Sequence, residues 1–260
     1  MVTRDTAWPD GTPCWADLGT TDIPKAIGFY SREFGWDVQV GGPEVGGYSL
    51  ALLDGRQAVG IGPVQGPPGT PDAWTTYIAT SDADVTADKI KGAGGQLLTD
   101  VMDVMDLGRM AIAADVTGAA FGIWQARKHT GSRIANVPGA VNWNEHMSHD
   151  FEGAKAFYAA VFGYEYGDMS SDGFSYATLL INGKEVGGIG AFPGEPDANQ
   201  RPFWSVYFGS TDTDKSVETA TGNGGQVIRP ASDSPYGRMA VIADPEGAVF
   251  SVISTPADDD

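Results

Sequence analysis

Apolar residues along this chain switch between two spacings. From Asp22 to Gly35 they recur at Ile23, Ala26, Ile27, Tyr30 and Phe34, which lines one face of a helix. Asp22 offers an N-cap, Pro24 suits a first turn and Gly35 ends the run. Around this helix, Cys14 to Gly19 and Trp36 to Val40 read as short strands. Tyr48 to Leu53, the Asp54-Gly55 turn and Arg56 to Ile61 read as a hairpin. The unit is β-α-β-β-β. A second unit follows, with a strand over Thr75 to Ala79 and a helix from about Asp82 to Ala93 that stops at Gly94-Gly95. Its remaining strands fall near Gln96 to Thr99, Arg109 to Ala114 and Ala119 to Gln125.

The same order then repeats. A shift of 128 residues carries Trp15 onto Trp143, Asp22 onto Asp150, Phe29 onto Phe157, Tyr30 onto Tyr158, Gly35 onto Gly163 and Gly60 onto Gly188. A shift of 130 carries Trp74 onto Trp204 and Tyr77 onto Tyr207, and one of 129 carries Gly108-Arg109-Met110-Ala111 onto Gly237-Arg238-Met239-Ala240. Repeats at a fixed offset decide architecture before any local assignment. One βαβββ unit is too small to close a core, so the units must pair. The expected fold is α+β: tandem βαβββ modules, two per domain, forming two cupped mixed sheets with helices on the convex face. The first domain spans 12–127 (modules 12–65 and 73–126) and the second 139–255 (modules 139–192 and 203–254). Arg127 to Pro138 reads as a polar linker, His129 included, and each half is expected to fold alone.

Composition narrows the function. The 260 residues carry 16 Lys and Arg against 34 Asp and Glu, a formal net charge of -18. That balance repels phosphate backbones and anionic lipid, so nucleic acid and membrane are excluded as partners. No run approaches the ~20 apolar residues of a membrane span, and no leader segment is evident, so the cytoplasm is the expected location. The terminal Asp258, Asp259 and Asp260 read as a solvated end. Cys14, the single cysteine, falls by strand parity on the face opposite Trp15 and reads as a buried, inert thiol.

The stretches Ala26-Ile27-Gly28-Phe29-Tyr30 with Phe34-Gly35-Trp36, and Ala154-Lys155-Ala156-Phe157-Tyr158 with Phe162-Gly163-Tyr164, resemble the first helix of vicinal-oxygen-chelate proteins. This is the glyoxalase, bleomycin-resistance and extradiol dioxygenase superfamily. Asp244-Pro245-Glu246-Gly247 is similar to the family's hairpin before the last strand, and Asp115-Val116-Thr117-Gly118 is a degraded copy. Gly11-Thr12-Pro13-Cys14-Trp15, Leu107-Gly108-Arg109-Met110 and Asn142-Trp143-Asn144-Glu145 resemble a two-domain actinobacterial subgroup labelled hydroxylase or glyoxalase-like, which includes accessory proteins of anthracycline biosynthesis.

The resemblance implies where a metal would bind. Metal-dependent members place His, Gln and Glu ligands on first and last strands, a set suited to an octahedral divalent ion. The matching positions here are Trp15, Thr75, Trp143 and Ser205 on first strands, and Gly122 and Ser251 in place of the glutamates. None is a good ligand, and no metal or other cofactor is expected. His146 and His149 invite a metal reading with Glu145 and Asp150, but alternation turns His146 away from the face of Trp143 and Glu145. No glycine-rich stretch opens a helix as a dinucleotide loop requires.

Strand parity instead gathers aromatics in the cups. Trp15 and Asp17 share a face with Tyr77 and Trp124, and Trp143 and Glu145 share one with Tyr207, whereas Trp74 and Trp204 fall on the core side. An aromatic wall with a few polar groups is the usual make-up of a small-molecule site. Asp17 and Glu145 are the candidate acid/base residues, since desolvation among tryptophans raises a carboxyl pKa. Hydrogen bonding to a ligand or pairing with an arginine would serve them equally. Arg109 and Arg238 either clamp a ligand carboxylate or enolate or tie the sheet to a neighbouring segment. The expected ligand site is therefore Trp15, Tyr77, Arg109, Trp124, Trp143, Tyr207 and Arg238, with the first cup foremost.

Three functions fit, in this order. The first is a small-molecule-binding or accessory protein for an aromatic, polyketide-like metabolite. The second is a metal-free lyase, isomerase or hydrolase using Asp17 or Glu145 as base. The third is a metal-dependent glyoxalase or dioxygenase with displaced ligands. The partner is a small molecule in each case, and the chain is expected to be a monomer or weak homodimer.

Overall fold

The computed structural model describes residues 1–171, 173–194 and 200–254. The acidic tail and the last residue of the second expected domain lie outside them. The first half contains β1 (Val2–Thr3), β2 (Pro13–Thr20), α1 (Ile23–Phe34), β3 (Asp37–Gln39), β4 (Ser49–Leu53), β5 (Arg56–Pro63), β6 (Ala73–Ala79), α2 (Ala83–Gly92), β7 (Gln96–Leu97), β8 (Met102–Val104), β9 (Gly108–Ala114) and β10 (Ala120–Ala126). After β11 (Ile134–Ala135) come β12 (Val141–Ser148), α3 (Phe151–Phe162), β13 (Glu165–Asp168), β14 (Tyr176–Ile181), β15 (Lys184–Ala191), β16 (Phe203–Gly209), α4 (Thr213–Gly222), β17 (Gln226–Ser234), β18 (Gly237–Ala243) and β19 (Val249–Ser254).

The helix signals act as read. The Asp22 carboxylate accepts the Lys25 N–H at 3.0 Å, and the Asp150 carboxylate accepts that of Gly153 at 2.9 Å. Gly35 and Gly163 close these helices in the left-handed region at φ 71° and 75°, where a side chain is penalised.

Each half forms one mixed sheet. The strand orders are β3-β4-β5-β2-β6-β10-β9-β7, with β8 also on β9, and β13-β14-β15-β12-β16-β19-β18-β17. In each sheet the two modules join through an antiparallel pair of first strands: Trp15 faces Tyr77, and Trp143 faces Tyr207. Parallel pairs flank this seam. The fold is thus α+β with two modules per sheet.

The cores lie between the sheets and belong to neither half alone. One gathers Phe29, Tyr30, Trp36 and Trp74 of the first half with Phe208, Phe250 and Val252 of the second. The other gathers Ile78, Phe121 and Ile123 with Phe157, Tyr158 and Trp204. The helices occupy this interior, and the opposite face of each sheet is the cup. Two hydrogen-bonded relays cross between the halves. The Trp74 indole donates to the Tyr30 hydroxyl at 2.9 Å, which donates to Asp244 at 3.0 Å. Reciprocally, the Trp204 indole donates to the Tyr158 hydroxyl at 2.6 Å, which donates to Asp115 at 2.9 Å. These shared cores weigh against the expectation that each half folds alone, because a separated half would expose the backs of its helices and strands to water.

The linker between the halves is itself paired and partly buried. β11 pairs with β1, the Arg133 N–H donates to the Gln57 carbonyl at 2.7 Å, and Ser132, Ile134 and Ala135 are buried.

Candidate functional site

From Trp15 along β2 and from Trp143 along β12, past a bulge in each strand, alternation puts odd-numbered side chains in the cups and even-numbered ones on the core side. On the floor of the first cup the Trp15 indole N–H donates to the Tyr48 hydroxyl at 2.9 Å, and that hydroxyl donates to Asp17 Oδ2 at 3.1 Å. The Tyr77 hydroxyl donates to the same carboxyl. The second cup repeats the cradle. The Trp143 indole donates to the Tyr176 hydroxyl at 3.1 Å, and Tyr176 and Tyr207 both donate to Glu145, the latter at 2.9 Å.

Burial governs the titration of both carboxyls. It pushes Asp17 up to about 7 against the pull of the Tyr48 and Tyr77 hydrogen bonds. It also raises Glu145, opposed by Tyr176, Tyr207 and the nearby charge of Arg229. Asp17 can therefore take or give a proton near neutral pH, and Glu145 is shifted in the same direction.

Tyr48 and Tyr176 escaped the sequence reading although they occupy equivalent repeat positions. Their rings fit because the strand beside them carries glycine: a Cβ on Gly60 would lie 1.9 Å from the Tyr48 hydroxyl, and one on Gly188 2.0 Å from that of Tyr176. At Gly122 a Cβ would lie 2.2 Å from the Tyr77 ring, so that ring fills the space a longer side chain would need. In the second half Ser251 is buried, 3.3 Å from the Ser205 hydroxyl, and donates to Tyr207. Among the described residues, no three His, Cys, Asp or Glu side chains converge as a metal cluster.

The two cups differ in cover. Trp15, Tyr77 and Trp124 form one cluster, each only 6% exposed. The linker lies over them: the His129 ring meets Trp15 edge-on at 4.4 Å and Trp124 at 5.2 Å, and the Trp124 indole donates to the His129 carbonyl at 2.9 Å. Burial lowers His129 to about 4, so the ring is neutral when it packs there. A cavity of about 270 Å³ remains at one end, between Trp8, Asp10, Cys14, Thr80, Trp124 and Thr130. In the second cup Trp143 and Glu145 are partly exposed, and Ile253 stands at the repeat position of Trp124. The cover thus weighs against the first cup, which was expected foremost, and in favour of the second.

Other expected residues fall elsewhere. Arg109 donates to both Asp84 oxygens, at 2.5 and 3.1 Å, and Arg238 donates to Asp214 at 2.7 and 2.9 Å and to Asp233 at 3.0 Å. Both guanidiniums share strand parity with core alanines, Ala111 and Ala240, and pin the sheet to the first turns of α2 and α4. They are not in the cups. His146 is fully buried in the core, with Nε2 2.9 Å from Asp115. That contact, with the Tyr158 and Thr117 hydrogen bonds, outweighs burial and holds Asp115 low. Trp74 and Trp204 lie in the cores, as parity implied. Cys14 is buried, and burial raises its thiol well above its ordinary value. A bulge between Pro13 and Trp15 places it in the same cluster as Trp15, which corrects the opposite-face reading.

The model of the glyoxalase/bleomycin resistance protein/dioxygenase superfamily matches residues 14–123 and again 141–252. CFP32 of Mycobacterium tuberculosis (strain CDC 1551 / Oshkosh), provisionally named a glyoxylase, is 41% identical over 253 residues, covering 94% of each chain. The anthracycline biosynthesis protein DauV of Streptomyces sp. (strain C5) is 35% identical over 268 residues, covering 95% of this chain and 94% of its own. Among solved structures, the Mn(II)-bound glyoxalase from Novosphingobium aromaticivorans superposes with a TM-score of 0.64 at 17% identity, covering 94% of this chain and 82% of its own. That last likeness is one of fold.

Proposed function

The chain belongs to the glyoxalase/bleomycin resistance protein/dioxygenase superfamily, and from that premise we propose that it binds a flat aromatic, polyketide-like metabolite in a cup and works without a metal ion. The observation that carries this reading is the duplicated cradle, in which an indole, two phenols and a carboxyl stand on the floor of each cup. An aromatic surface with one convergent acid suits a planar molecule bearing a few polar groups. The relationship to an anthracycline biosynthesis protein supports a ligand of that kind. The second cup is the site, since its indole is the partly exposed one.

The residues present do not fit a divalent ion. The inherited positions are Trp15, Thr75, Gly122, Trp143, Ser205 and Ser251, and Tyr77 fills the space beside Gly122. A second reading, a metal-free lyase, isomerase or hydrolase, is favoured by one specific observation: the raised acids. Asp17 at about 7 is matched to proton transfer at neutral pH. Location in the cytoplasm and a monomeric or weakly dimeric state complete the proposal. Among the described residues no helix is long and apolar enough to cross a membrane.

The test is a fluorescence titration with a planar anthraquinone, run on protein whose metal content has been measured. Trp143→Ala should weaken binding by roughly 1–3 kcal/mol through lost stacking. Glu145→Gln should leave affinity nearly intact in a binder, whereas an enzyme using this acid would lose turnover by about 100-fold or more. Unchanged affinity in Trp143→Ala, or about one EDTA-sensitive Zn, Ni, Mn or Fe per half, would sink the proposal.

A further inference from the structure

We propose that the second cup selects a planar ligand bearing an acidic oxygen, a carboxylate or an ionised phenol or enol, which Arg229 pairs with, and that the first cup lacks this selectivity. The inference rests on the preceding reading that the second cup holds the ligand.

The sheet register places Arg229 on the cup face. Trp143 is opposite Tyr207, Tyr207 opposite Ser251, Ser251 opposite Val241, and Val241 opposite Arg229. Residues directly opposite across a ladder share a face, so Arg229 stands in the same row as the cradle. Irregular register on both sides of it, between Val227 and Arg229 and between Arg229 and Ser232, is the kind of local feature that re-aims a side chain. Its charge reaches the floor, lowering both Glu145 and Tyr207 against the effect of burial.

No hydrogen bond or ion pair engages the Arg229 guanidinium among the described residues. By contrast, Arg56, Arg109, Arg127, Arg133 and Arg238 each have a carboxylate partner. In a chain with a net charge of -18, carboxylates are abundant, and a cation facing the cup without one is available for a ligand. Planar guanidinium matches carboxylate and phenolate oxygens with directed, charge-assisted hydrogen bonds. The first half has no equivalent cation. Thr99 stands there against Ile112, its hydroxyl accepting the Ile112 N–H at 2.9 Å, and Asp100 follows it.

The experiment compares 2-naphthoate with 2-naphthamide, an uncharged probe of nearly equal shape, and adds alizarin near and below its first ionisation to represent the phenol. Quenching of tryptophan fluorescence is read on the wild type, Arg229→Gln and Trp143→Ala. The wild type should bind the acid about 10-fold more tightly than the amide, with a preference that shrinks as salt is added. Arg229→Gln should abolish the preference while keeping the amide affinity. Trp143→Ala should weaken both probes alike. A wild type that prefers neither the acid over the amide nor ionised over neutral alizarin, or an unchanged preference in Arg229→Gln, would overturn the anion proposal alone, provided that Trp143→Ala still weakens the amide or alizarin. If neither variant alters any probe, the second cup is not the site and both proposals fall. A preference for alizarin only when ionised, with none for naphthoate, would restrict the ligand to phenols and enols and overturn the carboxylate arm.

Discussion

A carboxyl group held between two phenols, with its solvent access narrowed by an indole, gives up its charge, and Asp17 is held in that way. Its pKa rises from 3.8 to about 7. Between those values the folded chain retains a proton that the unfolded chain has released, so stability falls as pH rises through this window and levels off above it. Asp17→Asn keeps an acceptor for Tyr48 and Tyr77 but cannot ionise. Its stability advantage over the wild type should therefore grow by roughly 1–3 kcal/mol from pH 4 to pH 8, as read from urea midpoints. A gap that stays constant with pH would mean that Asp17 is ionised throughout. At this scale the sequence was legible where period two sufficed: Trp15, Asp17, Tyr77 and their counterparts lie on one face. Tyr48 and Tyr176 were not, since their direction depends on Gly60 and Gly188 on the neighbouring strand, and nothing in the period of either strand says which ring a glycine makes room for. Arg109 and Arg238 became decidable only when their strand neighbours were seen in the core.

Strands in this molecule fit by socket and ring. Gly122 on β10 lies opposite Tyr77 on β6, and the absent Cβ leaves room for the ring beside it. Gly122→Ala should destabilise the protein by about 1–3 kcal/mol, the usual range for overpacking. Most of that loss should vanish when the substitution is made in a Tyr77→Ala background, which a double-mutant cycle of thermal or urea unfolding measures. Additive losses would show that the ring and the glycine do not meet. Helices, hairpins and the order of modules were legible because caps, turn residues and hydrophobic period are local signals. The short strands β1 and β11 were not, since each has two residues and gains its stability from pairing with the other across more than half the chain.

Taken as a whole, the molecule is two sheets set back to back around cores that both halves build. Residues 1–137 and 138–260, produced separately, should each lack a cooperative thermal transition, and mixing them should restore one. Separate cooperative melts would show that the crossing relays and shared cores contribute little. The repeat announced that there are two copies but could not announce how they face one another, because a hydrophobic face looks the same in sequence whichever surface covers it.

One contact at the centre of this arrangement has a reach beyond packing. The Thr76 hydroxyl donates to the Asn144 side-chain oxygen at 2.8 Å, joining the backs of the two strands that carry Tyr77 on one side and Trp143 and Glu145 on the other. The cups open in opposite directions, yet their floors are one residue removed from a common bond. A ligand that displaces β12 displaces the acceptor of that bond and, through it, the strand beneath the first cup. Any coupling carried by this bond would be reciprocal, so that an occupant of either cup would change the other cup's affinity by the same factor.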